Sequence, residues 1–399
     1  MEPRLSLRTS ESPGRVSGSE HRDRYWLHIG LFLLTLATTI YSGGEWAGRI
    51  LRYQTLGAWW FVPDGIRFAL SLLLFLTVHE FGHYIAARRH GISTSLPYYI
   101  PAPPLFTFGT LGAVIRIREP IPTVRKLFDV GASGPLAGFV VALGVLLIGF
   151  LTLPPPSYLF DLLGHEEIQR YIEQHMAYPR EMPAIDPEFE GTVPVVGQTL
   201  LFWILSQFFA DVPPMYELYH FPVLFAGWLG LFFTALNLLP VGQLDGGHIL
   251  YALLGERWHG RIARAFVVFL LVSAGVGFVD DVEPLLRARQ PGLEGLTWFL
   301  LAALLYLFLS RVFAGGLLTL GALLLGVVTA VVGVRAVGLA DQIGYTGWFL
   351  FIVLIVVFIK VDHPRVLAMQ PLTRGRRILG VLCILIFILC FSIQPIHIR

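Results

Sequence analysis

Charged side chains are scarce in this sequence. Asp, Glu, Lys and Arg make up 14% of its 399 residues, whereas hydrophobic residues make up 55%. A soluble globular chain carries about 25% charged residues, so this chain has too little polar surface to stay in water. Its 29 Lys and Arg nearly balance 27 Asp and Glu, and without a basic excess we exclude nucleic acid as a partner. The composition predicts an integral membrane protein.

Cysteine is rarer still. Cys383 and Cys390 are the only two, and both lie in one apolar run, which excludes a disulfide framework and a cysteine-rich metal site. Residues 1–24 lack the apolar stretch and the cleavage site of a signal peptide, and acidic residues interrupt any transit-like pattern. We expect 1–24 to be a disordered cytoplasmic tail, and the pattern favours a prokaryotic plasma membrane.

Long apolar runs are abundant instead. A helix needs roughly 17–25 apolar residues to cross a bilayer. Nine stretches qualify as candidates: 25–43, 65–88, 127–153, 220–240, 262–280, 296–313, 315–338, 345–361 and 377–394. We expect an all-α polytopic protein in the lipid bilayer, in which 25–394 forms one membrane domain and 395–399 a short C-terminal tail.

Flanking charges orient these spans, because cations gather on the cytoplasmic side of a membrane. Arg88 and Arg89 follow the second span and place its end in the cytoplasm, whereas 155–194 holds eight acids against two arginines and is expected outside. The arginines that follow 220–240 require that span to begin outside as well. The shorter apolar stretch 195–210 then cannot cross, and we expect an interfacial or re-entrant helix there.

The second span ends in the motif His79-Glu80-Phe81-Gly82-His83. Residues four apart on a helix share a face, so the two histidines can offer their imidazoles to one zinc ion, with Glu80 beside them as general base. Ionisable residues inside an apolar span are costly and are functional candidates by default. The motif predicts a hydrolytic zinc site, and a chance match is the alternative.

A third ligand is available in 237–248, which reads Asn-Leu-Leu-Pro-Val-Gly-Gln-Leu-Asp-Gly-Gly-His. The charge pattern places Asp245 on the same side of the membrane as His79 and His83, and at a similar depth. Pro240 ends or kinks the helix, and the glycines after Asp245 permit an irregular backbone that turns the carboxylate inward. An ordinary helix-ending loop at the interface is the alternative.

Together the two motifs resemble the site-2 protease family of intramembrane zinc metalloproteases (peptidase M50 type), in which they occur in this order. Weaker similarity extends over about 75–260 and to Asp362-His363-Pro364. The resemblance implies a three-helix catalytic core, within about 65–260, built from the spans 65–88, 127–153 and 220–240.

The resemblance also implies roles for individual residues. One zinc ion per chain would be held by His79, His83 and Asp245, with Glu80 as the catalytic acid and base. Asn237 would lie near the active site, where its amide can hold the substrate backbone or the oxyanion. The activity implied is intramembrane proteolysis of a single-span membrane protein substrate, with the active site towards the cytoplasm. The sequence carries no signal for an oligomeric state.

The segment 96–118 between the second and third spans is too apolar for an ordinary cytoplasmic loop and too rich in proline for a helix. The alternation in 114–118 predicts a short membrane-associated strand. In the resembling family this region folds back beside the active site and offers a strand edge to the substrate. A loop that only lies on the membrane surface is the alternative.

Other functions stay open. Gly131-Ala-Ser-Gly134 also fits the nucleophile motif of rhomboid serine proteases, although helix packing is the favoured role of these glycines. A prenyl-protein metallopeptidase, or a transporter or channel with an intramembrane metal site, are further alternatives. His165 and His175 lie in the acidic external segment beside Glu166 and Glu167, where a solvated loop is favoured over a metal site. His248 is expected either to support the metal ligands or to lie at the interface, as is the histidine at 363.

Overall fold

A computed structural model of the protein describes residues 24–104, 107–181 and 193–398. The fold is mostly helical, and its helices are α1 Tyr25–Ala47, α2 Val62–Arg89, α3 Val124–Leu151, α4 Glu166–His175, α5 Leu200–Ser206, α6 Pro222–Asn237, α7 Asp245–Arg289, α8 Leu296–Val312, α9 Leu317–Ala336, α10 Ala340–Ile343, α11 Trp348–Leu354 and α12 Arg374–Cys390. The strands are β1 Tyr98–Pro101, β2 Thr110–Val114, β3 Pro194–Val196 and β4 Ile396–Ile398. Apart from residue 24, the tail expected over 1–24 lies outside the described residues.

Within the described residues, five helical segments are long and apolar enough to cross a membrane. They comprise α1, α2 with the turn before it, α3, α7 and α9. Three further apolar helices, α6, α8 and the segment Trp348–Ile359, are shorter. The chain is therefore a multi-pass membrane protein, and the count of nine spans stays a prediction because five segments reach the required length.

Hydrogen bonds between chain segments identify the two ends of the helical bundle. At one end, here called the His83 end, the Lys126 ammonium of α3 donates to the carbonyl of His90, just after α2, at 2.9 Å. At the other end, here called the Ala47 end, the Tyr158 hydroxyl donates to the carbonyl of His220 at 3.0 Å, and the His220 ring lies 3.1 Å from the carbonyl oxygen of Ala47 at the end of α1. Since α2 finishes and α3 begins at the His83 end, the metal motif of α2 lies near that end.

Helices α2, α3 and α6 pack against one another with little space between their backbones. A Cβ atom on Gly227 of α6 would lie 2.7 Å from the Leu146 Cα of α3, and one on Gly82 of α2 would lie 2.6 Å from the Ser133 carbonyl oxygen. Small residues permit such close approach between helices in membranes. Large side chains such as Phe75 and Trp228 are fully buried around this contact.

The segment between α2 and α3 forms an antiparallel hairpin that contacts α1 and α2. Tyr98 of β1 pairs with Val114 of β2. Along α1, the Thr38 hydroxyl donates to the Gly109 carbonyl at 2.6 Å, and the Trp46 indole donates to the Thr107 carbonyl at 3.4 Å. Because Trp46 is next to Ala47, the hairpin loop extends along α1 to the Ala47 end.

The strand expected at 114–118 is displaced in the structure, since β2 ends at Val114. The residues that follow do pair, but only locally: the Ser95 amide donates to the Arg116 carbonyl at 3.0 Å and the Arg118 amide to the Ser93 carbonyl at 2.9 Å. Thr94 and Ile117 therefore form an isolated bridge. The alternating pattern in 114–118 corresponds to this isolated bridge at the open end of the hairpin. Strand β2 itself lies earlier in the chain, at Thr110–Val114.

Two other expectations also change. The span expected at 262–280 lies within α7, which already begins at Asp245 and is interrupted at Gly255, with φ 79° and ψ 175°. This backbone conformation favours glycine. Of the helix expected at 195–210, the structure contains α5, which has seven residues and follows β3.

The C-terminal segment joins the same region of the fold. β4 pairs antiparallel with β3, so most of the tail expected over 395–399 forms a strand. The Gly197 amide, just after β3, adds a bond to the Pro395 carbonyl at 2.8 Å. The C-terminal strand is thereby tied to the segment that precedes α6.

Candidate metal centre

Helix α2 places His79 and His83 on one buried face, one helical turn apart. Their Nε2 atoms are 3.1 Å from each other. The Asp245 carboxylate reaches them from the first residue of α7, with its Oδ2 3.5 Å from His79 Nε2 and 3.2 Å from His83 Nε2. The three expected metal ligands thus converge on one point inside the bundle.

The hydrogen bonding of His83 fixes which ring nitrogen faces this point. Its Nδ1 is 2.7 Å from the Val130 carbonyl oxygen, and since a carbonyl only accepts, Nδ1 carries the proton. A neutral imidazole then has its lone pair on Nε2, directed at the Asp245 carboxylate. Acceptor atoms that converge in this way need a cation between them, and two imidazoles with one carboxylate form a donor set that fits zinc.

The turn before α7 brings the carboxylate into place. Helix α6 ends at Asn237, and Gly242 has φ 56°, in the left-handed region that favours glycine. A Cβ on Gly246 would lie 2.0 Å from the Leu238 carbonyl oxygen, so only glycine fits directly after Asp245. The motif 237–248 therefore spans the end of α6 and the start of α7. It is more than the ordinary helix-ending loop that the sequence left as the alternative.

Glu80 lies beside the ligands and is 7% exposed. The backbone of Ile115, directly after β2, lies near its carboxylate. One turn earlier on α2, the Thr77 hydroxyl is 2.7 Å from the hydroxyl of Tyr99 in β1. The hairpin is thus connected to α2 on both sides of His79.

Two further expected residues lie next to the centre. The side-chain amide nitrogen of Asn237 is 3.4 Å from His79 Nε2. His248 and His363 are in contact, with 2.7 Å between Nδ1 of the first and Nε2 of the second. They lie near the three converging donors without joining them.

The sequence predicted only helix packing for the glycines of α3, but two of these glycines also lie against the histidines of the centre. A Cβ on Gly134 would lie 2.0 Å from His83 Nε2, and one on Gly138 would lie 3.0 Å from His79 Nδ1. The Ser133 hydroxyl donates to the Val130 carbonyl at 2.8 Å and not to a histidine, which removes the partner that a rhomboid-type nucleophile requires. The spacing of the glycines was the available signal, but it did not indicate contact with the ligands.

The geometry defines a membrane protein with a buried centre of two histidines and one aspartate beside a glutamate. The sequence model described as peptidase family M50 matches residues 67–279, more than half of the chain. The chain belongs to this family, and the match confirms the resemblance to site-2 proteases.

Several plant proteins are similar to about half of the chain. The probable zinc metalloprotease EGY2, chloroplastic, of Oryza sativa subsp. indica is 33% identical over 214 residues, which are 53% of this chain and 34% of that protein. The probable zinc metalloprotease EGY1, chloroplastic, of Oryza sativa subsp. japonica is 30% identical over 198 residues, 49% of this chain and 29% of that protein. The chain spans about a third of the length of the curated relatives it matches. No solved structure is significantly similar to it.

Proposed function

We propose that this chain is a zinc metalloendopeptidase that cleaves peptide bonds in or near the transmembrane segments of membrane proteins. The observation that carries the proposal is the convergence of His79, His83 and Asp245 beside Glu80 within apolar helices. Membership of peptidase family M50 indicates the reaction class. The relatives described as probable zinc metalloproteases agree with zinc as the metal.

Each residue of the centre has a role in this proposal. His79, His83 and Asp245 would hold one zinc ion, which when bound supplies Lewis acidity and lowers the pKa of a bound water to about 7. Glu80 would take a proton from the attacking water and return it to the leaving amine. Asn237, whose amide nitrogen is 3.4 Å from His79 Nε2, is placed to donate to the substrate carbonyl oxygen.

The hairpin supports a substrate that binds in an extended form. A helical transmembrane substrate must unwind before one of its amides reaches the centre, and its freed backbone groups then need partners in a medium without water. Among the described residues, β2 pairs only with β1. The other edge of β2 can add an extended substrate by main-chain hydrogen bonds, and the proximity of Ile115 to Glu80 supports an edge beside the centre.

We infer that the His83 end lies on the cytoplasmic side, because Arg88 and Arg89 end α2 there. A reporter fused at Met215 is then expected to score on the opposite side. The similar plant proteins are named chloroplastic, and those names do not support the prokaryotic plasma membrane expected from the sequence.

The experiment is cleavage of a single-span membrane protein by the purified full chain, with both reconstituted into liposomes. Glu80→Gln should keep the metal and lose about 100-fold or more in rate, because it removes the general base and none of the ligands. Glu173→Gln, an exposed residue of α4, is the matched control and should cleave like wild type. Full activity in Glu80→Gln would remove this residue from the mechanism.

The same liposomes test the transport alternative. Uptake of zinc that requires His79, with no cleavage by the wild type, would favour a transporter with an intramembrane metal site. A prenyl-protein metallopeptidase would instead cleave a prenylated C-terminal peptide and leave the single-span substrate intact.

A further inference from the structure

A second group of metal-binding side chains lies at the Ala47 end, opposite the first centre. Nε2 of His165 is 3.1 Å from Oε2 of Glu217, and Nε2 of His220 is 3.6 Å from the same oxygen. One donor atom from each residue lies within 4.8 Å of the others. His165 comes from the segment after α3, and the other two come from the segment just before α6.

The outer hydrogen bonds of both histidines direct their lone pairs at Glu217. Nδ1 of His165 is 2.9 Å from the Leu163 carbonyl oxygen, and Nδ1 of His220 is 3.1 Å from the Ala47 carbonyl oxygen. Because a carbonyl only accepts, each Nδ1 carries a proton, and each neutral ring has its lone pair on Nε2. Histidines that bind metals are usually oriented by such a bond from the other ring nitrogen.

These converging acceptors are buried without donors. Glu217 is 2% exposed and His220 is 6% exposed. Among the described residues, neither Glu217 Oε2 nor His220 Nε2 has a hydrogen-bond partner. Leaving such a group unsatisfied costs about 1–3 kcal/mol, and more when it is charged. A cation among the three atoms would remove that cost.

A proton alone would supply only part of the hydrogen bonding that His165, Glu217 and His220 need. A proton on Nε2 of His165 could be shared with Oε2 of Glu217, 3.1 Å away. This proton would serve the 3.1 Å contact only. The Nε2 of His220, 3.6 Å from the same oxygen, would still face the carboxylate without a hydrogen-bond partner among the described residues. Arg49 is already paired with Asp161, at 2.7 Å.

We propose that His165, Glu217 and His220 bind a divalent transition-metal ion, for which zinc fits the donors best, at a site separate from the first centre. Two imidazoles and one carboxylate are a donor set that zinc takes. The ion joins the segment after α3 to the segment before α6, and the His220 bond to Ala47 extends this connection to the end of α1. Its role is to hold these segments together.

The test is the zinc content of the purified full chain in detergent. Wild type is expected to bind about two zinc ions per chain, one at each centre. His165→Ala should lose one of them, whereas His175→Ala should lose none, because His175 is an exposed histidine in α4 of the same region. Equal zinc content in these two variants would overturn the proposal.

A second measurement separates this site from the first one. In a His79→Ala/His83→Ala background about one zinc ion should remain, and adding His165→Ala should remove it. Cobalt loaded into the same background should give the visible absorption of a protein-bound ion, which adding His165→Ala abolishes. If the His79→Ala/His83→Ala variant stays monodisperse and binds neither zinc nor cobalt, the second site is refuted. Loss of zinc caused by His79→Ala in the otherwise wild-type chain tests the first centre only.

Discussion

Gly134 of α3 gives the sharpest test of the first centre, because its missing side chain leaves room for a ligand. In Gly134→Ala the new Cβ would lie 2.0 Å from His83 Nε2, whereas nonbonded carbon atoms prefer about 3.5–4.0 Å. The ring would have to move by more than about 1 Å. Metal ligands must hold their distances to within about 0.2 Å, so His83 could no longer bind together with Asp245.

The surroundings of His83 leave its ring little room to move away from the new Cβ. Its Nδ1 is bonded to the Val130 carbonyl at 2.7 Å, and the residue is 7% exposed. We therefore expect zinc affinity to fall by at least the roughly 10–100-fold seen when partners of metal ligands are lost. Zinc titration in detergent against a competing chelator measures this loss, and cleavage should fall in parallel.

Gly144→Ala is the matched control. Gly144 lies on the same helix, and nothing lies within 4 Å of the Cβ it would gain. Both substitutions raise helix propensity by about 1 kcal/mol, so the difference between them isolates the contact with His83. If Gly134→Ala bound zinc as tightly as Gly144→Ala, the reasoning that places His83 in a metal centre would be refuted.

Two further predictions concern the surroundings of the two centres. Tyr99→Phe removes the 2.7 Å contact between the hydroxyls of Tyr99 and Thr77, which is worth about 1 kcal/mol. The kcat/KM for a membrane substrate should therefore fall by about fivefold, with little change in Tm. An unchanged kcat/KM would show that this contact does not position the hairpin. Arg49→Ala removes a cation that is 7% exposed, 2.7 Å from Asp161 and 3.6 Å from Asp64. Thermal unfolding in detergent should show a loss of about 3 kcal/mol, and wild-type stability would contradict it.

The first candidate centre could be predicted from the sequence because two of its proposed ligands share one helix. His79 and His83 are four apart, and helical periodicity alone brings them together. Asp245 required a second argument, the distribution of charge along the chain, which placed it on the same side of the membrane. The structure brings its carboxylate to 3.2 Å from His83.

The second group could not be predicted in this way. His165 was weighed with its neighbours Glu166, Glu167 and His175, since only sequence proximity was available. Its actual partner is Glu217, 3.1 Å away, which comes from a separate segment. No periodicity connects irregular segments, so only the packing of α3 against α6 makes them neighbours.

We propose that an extended substrate joins the hairpin, because both have backbone groups that need partners. Backbone groups in a membrane need partners inside the protein, and the loop obtains them from α1, where Thr38 bonds to Gly109. Among the described residues, the pairing of β2 with β1 leaves its second edge without a strand. The backbone groups of an unwound substrate segment also need hydrogen-bond partners. Pairing the two satisfies both at once, and because Ile115 lies beside Glu80, the paired stretch would lie next to the general base.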